Sequence, residues 1–328
     1  MNTSWLDLFP DHIQALLRCM PQDVMKPLEE IRLREGRPLE LNYEGVFQFL
    51  TPAGTFTRKP EEAYKPTRED MLRLLDMMSN HSLYTLEEEL RKGFITIPGG
   101  HRVGLAGRTV LSDGKVRHIR DISSFNLRLA KEIRGAAEPL LPYLLDRDRN
   151  RIRHTLMVSS PQKGKTTILR DLARLISSGY SPSAFTACQG KKVGVVDERS
   201  EIAGCIQGVP SFDLGPRTDV LDGCPKAEGM MMMIRSMSPE VLLVDEIGRP
   251  EDAEAVSEAL HAGISVVATA HGSSLEDAAG RQALASLMKA RVFERYAVLD
   301  RSQGGFFFRL YDASVNEIKS SWPHGVVT

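Results

Sequence analysis

A segment near the middle of the chain combines the residue types that bind a polyphosphate. An apolar run at 155–158 predicts a strand, the pattern at 168–176 predicts a helix, and a short loop joins them. Backbone N–H groups of such a loop surround phosphate oxygens, a lysine neutralises the terminal oxygens, and a threonine hydroxyl can hold Mg²⁺. The sequence therefore predicts a phosphate-binding P-loop. Its nucleotide-binding residues are Ser159, Ser160, Pro161, Gln162, Lys163, Gly164, Lys165, Thr166 and Thr167.

Ser159 departs from the usual P-loop pattern, G-x-x-x-x-G-K-[ST], in which the first position is glycine. Glycine at this position can adopt backbone angles that other residues rarely adopt, whereas Ser159 carries a side chain, although a small one. Gly164, beside the expected phosphates, is retained. The substitution bears on nucleotide affinity rather than on the fold.

A second apolar run ends in two acids and supplies what a P-loop needs for hydrolysis. The strand pattern at 241–244 is followed by Asp245 and Glu246, and Asp245 lies 80 residues after Lys165. Asp245 is expected beside Mg²⁺ near Thr166, and Glu246 is expected to take a proton from a water aimed at the γ-phosphate. Consecutive acids are typical of P-loop ATPases with an additional strand between the P-loop strand and the acidic strand. The candidate for that strand is 192–197.

Two further strand ends are expected at the same edge of the sheet, where ligands bind. The run at 265–270 leads to His271, which with Thr269 is expected to sense the γ-phosphate, with a structural histidine as the alternative. The segment DERSE at 197–201 is expected to act on the catalytic water through Glu198 or on a neighbouring subunit through Arg199. A solvated charged loop is its alternative.

Several arginines outside these segments could reach a phosphate held by another domain or subunit. For those in the first third of the chain, a solvated sheet face is the alternative. The candidates are Arg108, Arg120, Arg128, Arg217 and Arg235.

The elements that must position these residues divide the chain into two predicted domains. Residues 1–133 combine helical patterns, at 67–78 and 82–91 among others, with short alternating strands and a hairpin at 93–108, which predicts a small α+β domain. Residues 134–328 alternate strands and helices and end in a hairpin at 295–312. Their strand runs VGVV, VLLV and SVVATA lack polar alternation, as in a parallel sheet buried on both faces. The expected fold class is α/β, a RecA-like P-loop NTPase domain with a mainly parallel sheet behind a smaller α+β N-terminal domain.

Composition excludes several classes of protein. The 328 residues exceed what one hydrophobic core usually organises, and the net charge of −1 argues against binding nucleic acid or anionic membrane by bulk charge. The four cysteines form no C-x-x-C pair, which indicates a reducing compartment. Neither a signal peptide nor an apolar run of membrane-spanning length is evident, so a cytosolic protein without its own transmembrane segment is expected.

Six stretches together resemble the stage III sporulation protein AA family of spore-forming bacteria, over about residues 30–275. They are EEIRLREGRPLEL, GFITIPGGHRVGLAGR, IRDISSFNLRLAKEI, VGVVDERSEIAG, RTDVLDGCPKAEGMMMMIRSMSPEVLLVDEIG and VVATAHG. That family is similar to the hexameric secretion ATPases of type II and type IV systems and of type IV pili. By this likeness Glu198 matches the acidic box, Glu246 the catalytic carboxylate and His271 the histidine box.

The resemblance implies a cytoplasmic mother-cell ATPase that uses ATP and Mg²⁺, with Thr166 and Asp245 at the metal. It further implies a homo-oligomer, a hexameric ring, that is peripheral at the membrane through embedded channel proteins linking mother cell and forespore. Two alternatives remain open at this stage. One is a RecA-like ATPase driven by nucleic acid, which the neutral charge and the lack of aromatics within a basic patch weaken. The other is a nucleotide-binding scaffold ring with negligible turnover.

Overall fold

The computed structural model of the chain describes residues 4–78, 90–91, 93–97, 99–112, 114–161, 163–180, 189–302 and 305–321. The chain divides into two compact units, Met1–Ala130 and Lys131–Thr328. The boundary predicted from sequence, between residues 133 and 134, lies three residues beyond this division.

The first unit packs short helices against a seven-stranded antiparallel sheet. Its strands are β1 (Leu28–Arg34), β2 (Glu40–Tyr43), β3 (Val46–Leu50), β4 (Phe56–Thr57), β5 (Phe94–Ile97), β6 (His101–Ser112) and β7 (Lys115–Arg128), in the order β4-β3-β2-β1-β7-β6-β5. A 3₁₀ helix (Ser4–Leu8) precedes α1 (Asp11–Arg18), α2 (Gln22–Met25) and α3 (Arg68–Met78). Ile13 and Leu17 of α1 lie in one buried cluster with Ile31 and Leu33 of β1. The unit is therefore α+β, as expected.

The local predictions for this unit have different outcomes. The hairpin predicted at 93–108 is confirmed, since Ile97 of β5 pairs with His101 of β6. The helix predicted at 67–78 is confirmed as α3. The helix predicted at 82–91 lies almost entirely outside the described residues.

The second unit is built on an eight-stranded sheet. Its strands are β10 (Thr155–Ser159), β11 (Val193–Asp197), β12 (Thr218–Asp222), β13 (Val241–Val244), β14 (Ser265–His271), β15 (Arg295–Ser302), β16 (Gly305–Asp312) and β17 (Glu317–Ser320). Across the sheet the order is β12-β11-β13-β14-β10-β15-β16-β17. The first six strands in this order are parallel, and β16 and β17 are antiparallel additions.

Helices cover both faces of this sheet and bury it, which is why its central strands lack polar alternation. The helices are α4 (Leu141–Leu144), α5 (Lys165–Ser178), α6 (Lys226–Ser236), α7 (Pro250–His261), α8 (Leu275–Ala279) and α9 (Gln282–Lys289), and a two-stranded sheet, β8 (Leu145–Asp146) and β9 (Arg151–Ile152), precedes β10. Met157 of β10 packs in the cluster that contains α5. Its neighbours Leu156 and Val158 pack in the cluster that contains α6 and α7. The unit is an α/β P-loop NTPase fold with a mainly parallel sheet.

The additional strand exists, but its predicted identity is wrong. β14 lies between β10 and β13 and pairs with both, whereas β11 lies on the far side of β13. Parallel strands are joined by crossovers over the face of the sheet, so the order along the chain does not give the order in space. The histidine-bearing strand therefore separates the P-loop strand from the acidic strand.

Two strands of this unit escape the sequence patterns. β12, in a segment expected to be a polar insertion, is an edge strand whose residues are not buried, so it lacks an apolar run. β17 adds a third strand to the closing hairpin, whose β15 and β16 confirm the prediction at 295–312. Within the described ranges, no helix is both long enough and apolar enough to cross a membrane.

Candidate active site

The P-loop turns at Gly164 and opens α5. Gly164 has φ +91° at the N-cap of this helix, in the left-handed region that favours glycine. A Cβ added there would lie 2.2 Å from Cε1 of Phe306, so the close ring also excludes other residues. The first N–H groups of α5 have no acceptor within the helix and point toward the loop, which makes this end of the helix attractive to an anion.

Ser159 does not need the backbone angles of the glycine it replaces. It ends β10, pairs in register with His271 of β14, and has no positive φ. Its buried hydroxyl donates to the carbonyl of Ser160 at 2.9 Å. The structure thus shows no backbone strain at Ser159, although a serine at this position departs from the P-loop pattern.

Lys165, His271 and Glu246 form a chain of contacts from the P-loop to the acidic strand. The Lys165 Nζ donates to the carbonyl of Ser159 at 2.9 Å and lies 2.8 Å from Nδ1 of His271. An ammonium group only donates, so Nδ1 accepts, and the proton of the neutral ring is on Nε2. That Nε2 lies 3.1 Å from Oε1 of Glu246. Burial lowers the pKa of Lys165, against the opposing charges of Asp245 and Glu246.

Asp245 and Glu246 are held in place by Thr269 of β14. The Thr269 hydroxyl donates to Oδ1 of Asp245 and accepts the N–H of Glu246 at 2.8 Å. Thr166 donates to the other oxygen, Oδ2 of Asp245, at 3.2 Å. Glu246 itself has φ +55°, in the left-handed region, so the chain leaves the extended strand conformation at this residue. Because Thr269 is fully buried and its hydroxyl is engaged, its geometry favours positioning of the acids over the predicted contact with phosphate.

The loop after β11, residues 197–204 and here called the β11 loop, is fixed from inside. The Asp197 carboxylate accepts three N–H groups, from residues 201, 202 and 203, at 2.8–2.9 Å. Burial raises the pKa of Asp197 to about 6. Arg170 of α5 donates to the carbonyls of Glu201 and Ile202, both at 2.7 Å, and stacks on Phe212. Sequence reasoning missed Arg170, because one polar residue within an amphipathic helix gives no signal of burial.

The two charged residues that follow Asp197 point to different partners. Glu198 forms an ion pair with Lys226 at the start of α6. Arg199 places Nη1 2.9 Å from Oε2 of Glu246. The structure therefore brings Arg199 of the same chain, rather than Glu198, to the predicted general base. A role for Glu198 on the catalytic water stays a prediction.

The remaining predicted nucleotide-binding residues surround the start of α5. Lys163 forms an ion pair with Asp300 of β15 at 2.7 Å, so it faces the closing hairpin. Ser160 and Pro161 belong to the loop, and Thr167 lies in the first turn of α5. Gln162 lies outside the described residues.

An apolar cavity of about 150 Å³ adjoins this end of α5. Phe306, whose ring faces Gly164, and Ile168, in the helix, both contribute to its wall. The rest of the lining comes from β15, from β16 and from Ala136, Pro139, Leu140 and Ser321. The P-loop is thus bordered by acids on one side and by an apolar recess on the other.

The residues at these strand ends fit a polyphosphate with Mg²⁺. Thr166 and Asp245 offer hydroxyl and carboxylate oxygens, the hard ligands that Mg²⁺ prefers. Lys165 and the first N–H groups of α5 offer positive charge to phosphate. The sequence predicted these groups separately, and the structure brings them to one edge of the sheet.

A family model and a curated relative each match most of the chain. A family model described as "Sporulation stage III, protein AA" matches residues 5–316. The chain is 49% identical over 311 residues to stage III sporulation protein AA of Bacillus subtilis (strain 168), covering 94% of this chain and 95% of that protein.

Solved structures show the same fold at low identity. The ATPase DotB of Yersinia pseudotuberculosis matches with a TM-score of 0.60 at 14% identity, covering 93% of this chain and 80% of that one. The pilus retraction motor PilT with bound ADP matches with a TM-score of 0.55 at 15% identity, covering 88% and 80%. The similarity extends over both units of the chain.

Proposed function

The chain belongs to the sporulation stage III protein AA family, and from that premise we propose that it is an Mg²⁺-dependent ATP hydrolase. The observation that carries the proposal is the continuous set of contacts from Lys165 through His271 to Glu246. It joins the P-loop to an acidic side chain across three neighbouring parallel strands. Hydrolysis needs a phosphate-binding group and a proton acceptor close together, and this set provides both.

Each residue has a distinct task in the proposed reaction. Lys165 and the N-terminus of α5 hold the phosphate oxygens, and Thr166 and Asp245 hold the metal. Bound Mg²⁺ neutralises the charge that develops on the phosphate oxygens. Glu246 takes the proton of the attacking water, and His271 reports the occupancy of the phosphate site because it contacts both Lys165 and Glu246.

We assign the base of the nucleotide to the apolar cavity beside Gly164. Its wall includes the ring of Phe306, and flat aromatic bases stack well on such rings. The cavity volume of about 150 Å³ suits one base rather than a larger group. With its base in this cavity, ATP should bind more tightly than a bare triphosphate.

The biological role that we propose follows from the family. The chain acts as a homo-oligomeric ring, hexameric as in the related secretion ATPases, and lies in the mother-cell cytoplasm against membrane-embedded channel proteins. There it energises assembly of, or transport through, the channel between mother cell and forespore. Sedimentation with and without ATP and Mg²⁺ tests the ring. A species that stays monomeric at micromolar concentration in both conditions contradicts it.

The enzymatic claim is tested by phosphate release from ATP, comparing the wild type with Glu246→Gln. Loss of the proton acceptor is expected to lower kcat by about 10²-fold or more. The thermal midpoint should not change, because the side chain is partly exposed and amide and carboxylate have the same shape. Omission of Mg²⁺ should abolish release, and tripolyphosphate should be a poor substrate because it lacks a base.

The alternatives give different results in the same assay. Equal, negligible rates in the wild type and in Glu246→Gln indicate a scaffold ring that binds nucleotide without turnover. A wild-type rate that rises strongly with single-stranded or double-stranded nucleic acid indicates a nucleic-acid motor.

A further inference from the structure

The β11 loop is a rigid support placed beside the active site. The Asp197 carboxylate, at the N-terminal end of the loop, accepts the backbone N–H groups of residues 201–203. The middle of the loop is held by Arg170, which is 5% exposed and donates to two loop carbonyls. A loop in which two buried groups fix residues 201–203 can hold the nearby side chain of Arg199 in one place.

Glu198, in the same loop, is already engaged in an ion pair. Its carboxylate pairs with Lys226, whose side chain is 9% exposed. Moving Glu198 toward the nucleotide would leave a buried ammonium group without its counter-charge, which is strongly unfavourable. Glu198 therefore has a structural task that competes with the catalytic one implied by the acidic box.

Arg199 extends from the same loop toward Glu246. Its Nη1 lies 2.9 Å from Oε2, and Nη2 lies 3.5 Å from Oε1. His271 approaches Oε1 from the end of β14 at 3.1 Å. Both oxygens of Glu246 are thus held by groups that come from two different strand ends.

We propose that Arg199 is the residue of the β11 loop that serves the reaction, as a positioning residue that orients the carboxylate of Glu246. The inference rests on the proposed ATPase function. Arg199 is 52% exposed, and an ion pair at such a site contributes little to folding stability. The expected effect of Arg199 is to orient the Glu246 carboxylate, because a planar guanidinium restricts the orientation of a carboxylate and a single point charge does not.

The proposal is tested by kcat and KM for ATP in four proteins: wild type, Arg199→Ala, Arg199→Lys and Glu198→Gln. Misplacing the general base is expected to lower kcat of Arg199→Ala by about 10²-fold. KM should stay within about twofold, because Arg199 acts through Glu246 and not on the nucleotide. Arg199→Lys should recover part of the loss. Glu198→Gln should lower the thermal midpoint, because buried Lys226 loses its counter-charge, whereas kcat of the folded variant should stay within about threefold of the wild type.

Two kinetic results would overturn the proposal. A clear rise of KM in Arg199→Ala would mean that Arg199 binds the phosphates directly. A larger loss of kcat in Glu198→Gln than in Arg199→Ala, at a temperature well below the thermal midpoint of both variants, would return the catalytic role to Glu198.

A second measurement separates this proposal from the proposed function. The side-chain ¹⁵N–¹H resonance of Arg199, assigned by its loss in Arg199→Lys, is followed in the nucleotide-free protein. It should shift in Glu246→Gln and stay in place in Glu198→Gln. If wild type releases no phosphate but this pattern holds, the ATPase function fails while the pairing stands. A resonance that ignores Glu246→Gln contradicts the positioning role whatever the turnover.

Discussion

Each unit of the chain contains a histidine in contact with a carboxylate, and the two pairs differ in what else the carboxylate binds. In the first unit, Asp70 is 3% exposed and lies 2.8 Å from His12 Nε2. It also accepts the hydroxyls of Tyr64 and Thr67 and the N–H of Thr67, at 2.7–2.9 Å. In the second unit, Glu246 is 27% exposed, and among the described residues its carboxylate has ion-pair or hydrogen-bond contacts only with Arg199 and His271.

The difference separates a structural pair from one that can do chemistry. Thr67 and Asp70 exchange hydrogen bonds at the start of α3, which is a helix cap. Donors contact both oxygens of Asp70: His12 lies at Oδ1, and Tyr64 and Thr67 donate to Oδ2. Glu246 lies at the carboxyl end of a parallel strand, beside a P-loop, with part of its surface open. Contact with a histidine therefore does not by itself identify a catalytic carboxylate.

Of the effects that this comparison predicts, the largest is the loss of kcat on replacing His271, with His12 replaced as the control. We expect His271→Asn to lower kcat by about 10²-fold, since it removes a preorganised donor between the P-loop and Glu246. His12→Asn should leave kcat within about twofold of the wild type. Steady-state phosphate release on the two purified variants makes the comparison. Equal losses of kcat in both would show that the two pairs are not functionally different.

The part of the site that could be predicted lies in continuous segments. The loop before α5 and the Asp245–Glu246 pair each carry their chemistry in residue order, so their types sufficed to place them. Contacts between distant segments could not be predicted from the sequence. Arg199 was expected at a neighbouring subunit, and its position on Glu246 depends on β11 lying next to β13 in the sheet. The pairing of Glu198 with Lys226 likewise joins segments 28 residues apart.

The fold shows the same limit. Buried central strands such as β13 can be predicted from their unbroken apolar runs. β12 is a partly exposed edge strand and has no such run. The choice of 192–197 as the additional strand was wrong for a topological reason. Sequence patterns give the elements, but the order of parallel strands depends on crossovers whose direction no local pattern records.

The second-largest predicted effect is a loss of folding stability that is confined to the first unit. Asp70→Ala removes the cap of α3 and leaves its donors without an acceptor, and we expect a loss of about 2 kcal/mol in the free energy of unfolding. Urea unfolding followed by Trp5 fluorescence, in a Trp322→Phe background, reports on this unit. Phosphate release under native conditions should be unchanged. A large loss of turnover with unchanged stability would contradict the structural assignment.

The smallest effect is the pH dependence of that same loss. Burial alone would raise the pKa of Asp70, but the hydrogen bonds from Thr67 and Tyr64 and the nearby His12 outweigh it and hold the pKa below its usual value. The unfolded chain, with a carboxyl pKa of about 3.9, therefore binds the proton more tightly than the folded chain does. The stability that Asp70 contributes is complete above this pH and is lost as pH falls through the lower, folded pKa.

The difference in unfolding free energy between wild type and Asp70→Ala should accordingly be constant from about pH 5 to pH 7 and shrink below about pH 4. Urea titrations at several pH values, with His12→Asn as a companion variant that keeps the carboxylate, measure it. A difference that instead grows as the pH falls would mean that Asp70 is protonated in the folded protein. Its hydrogen bonds would then not be those of a carboxylate, and the contrast with Glu246 would rest on exposure alone.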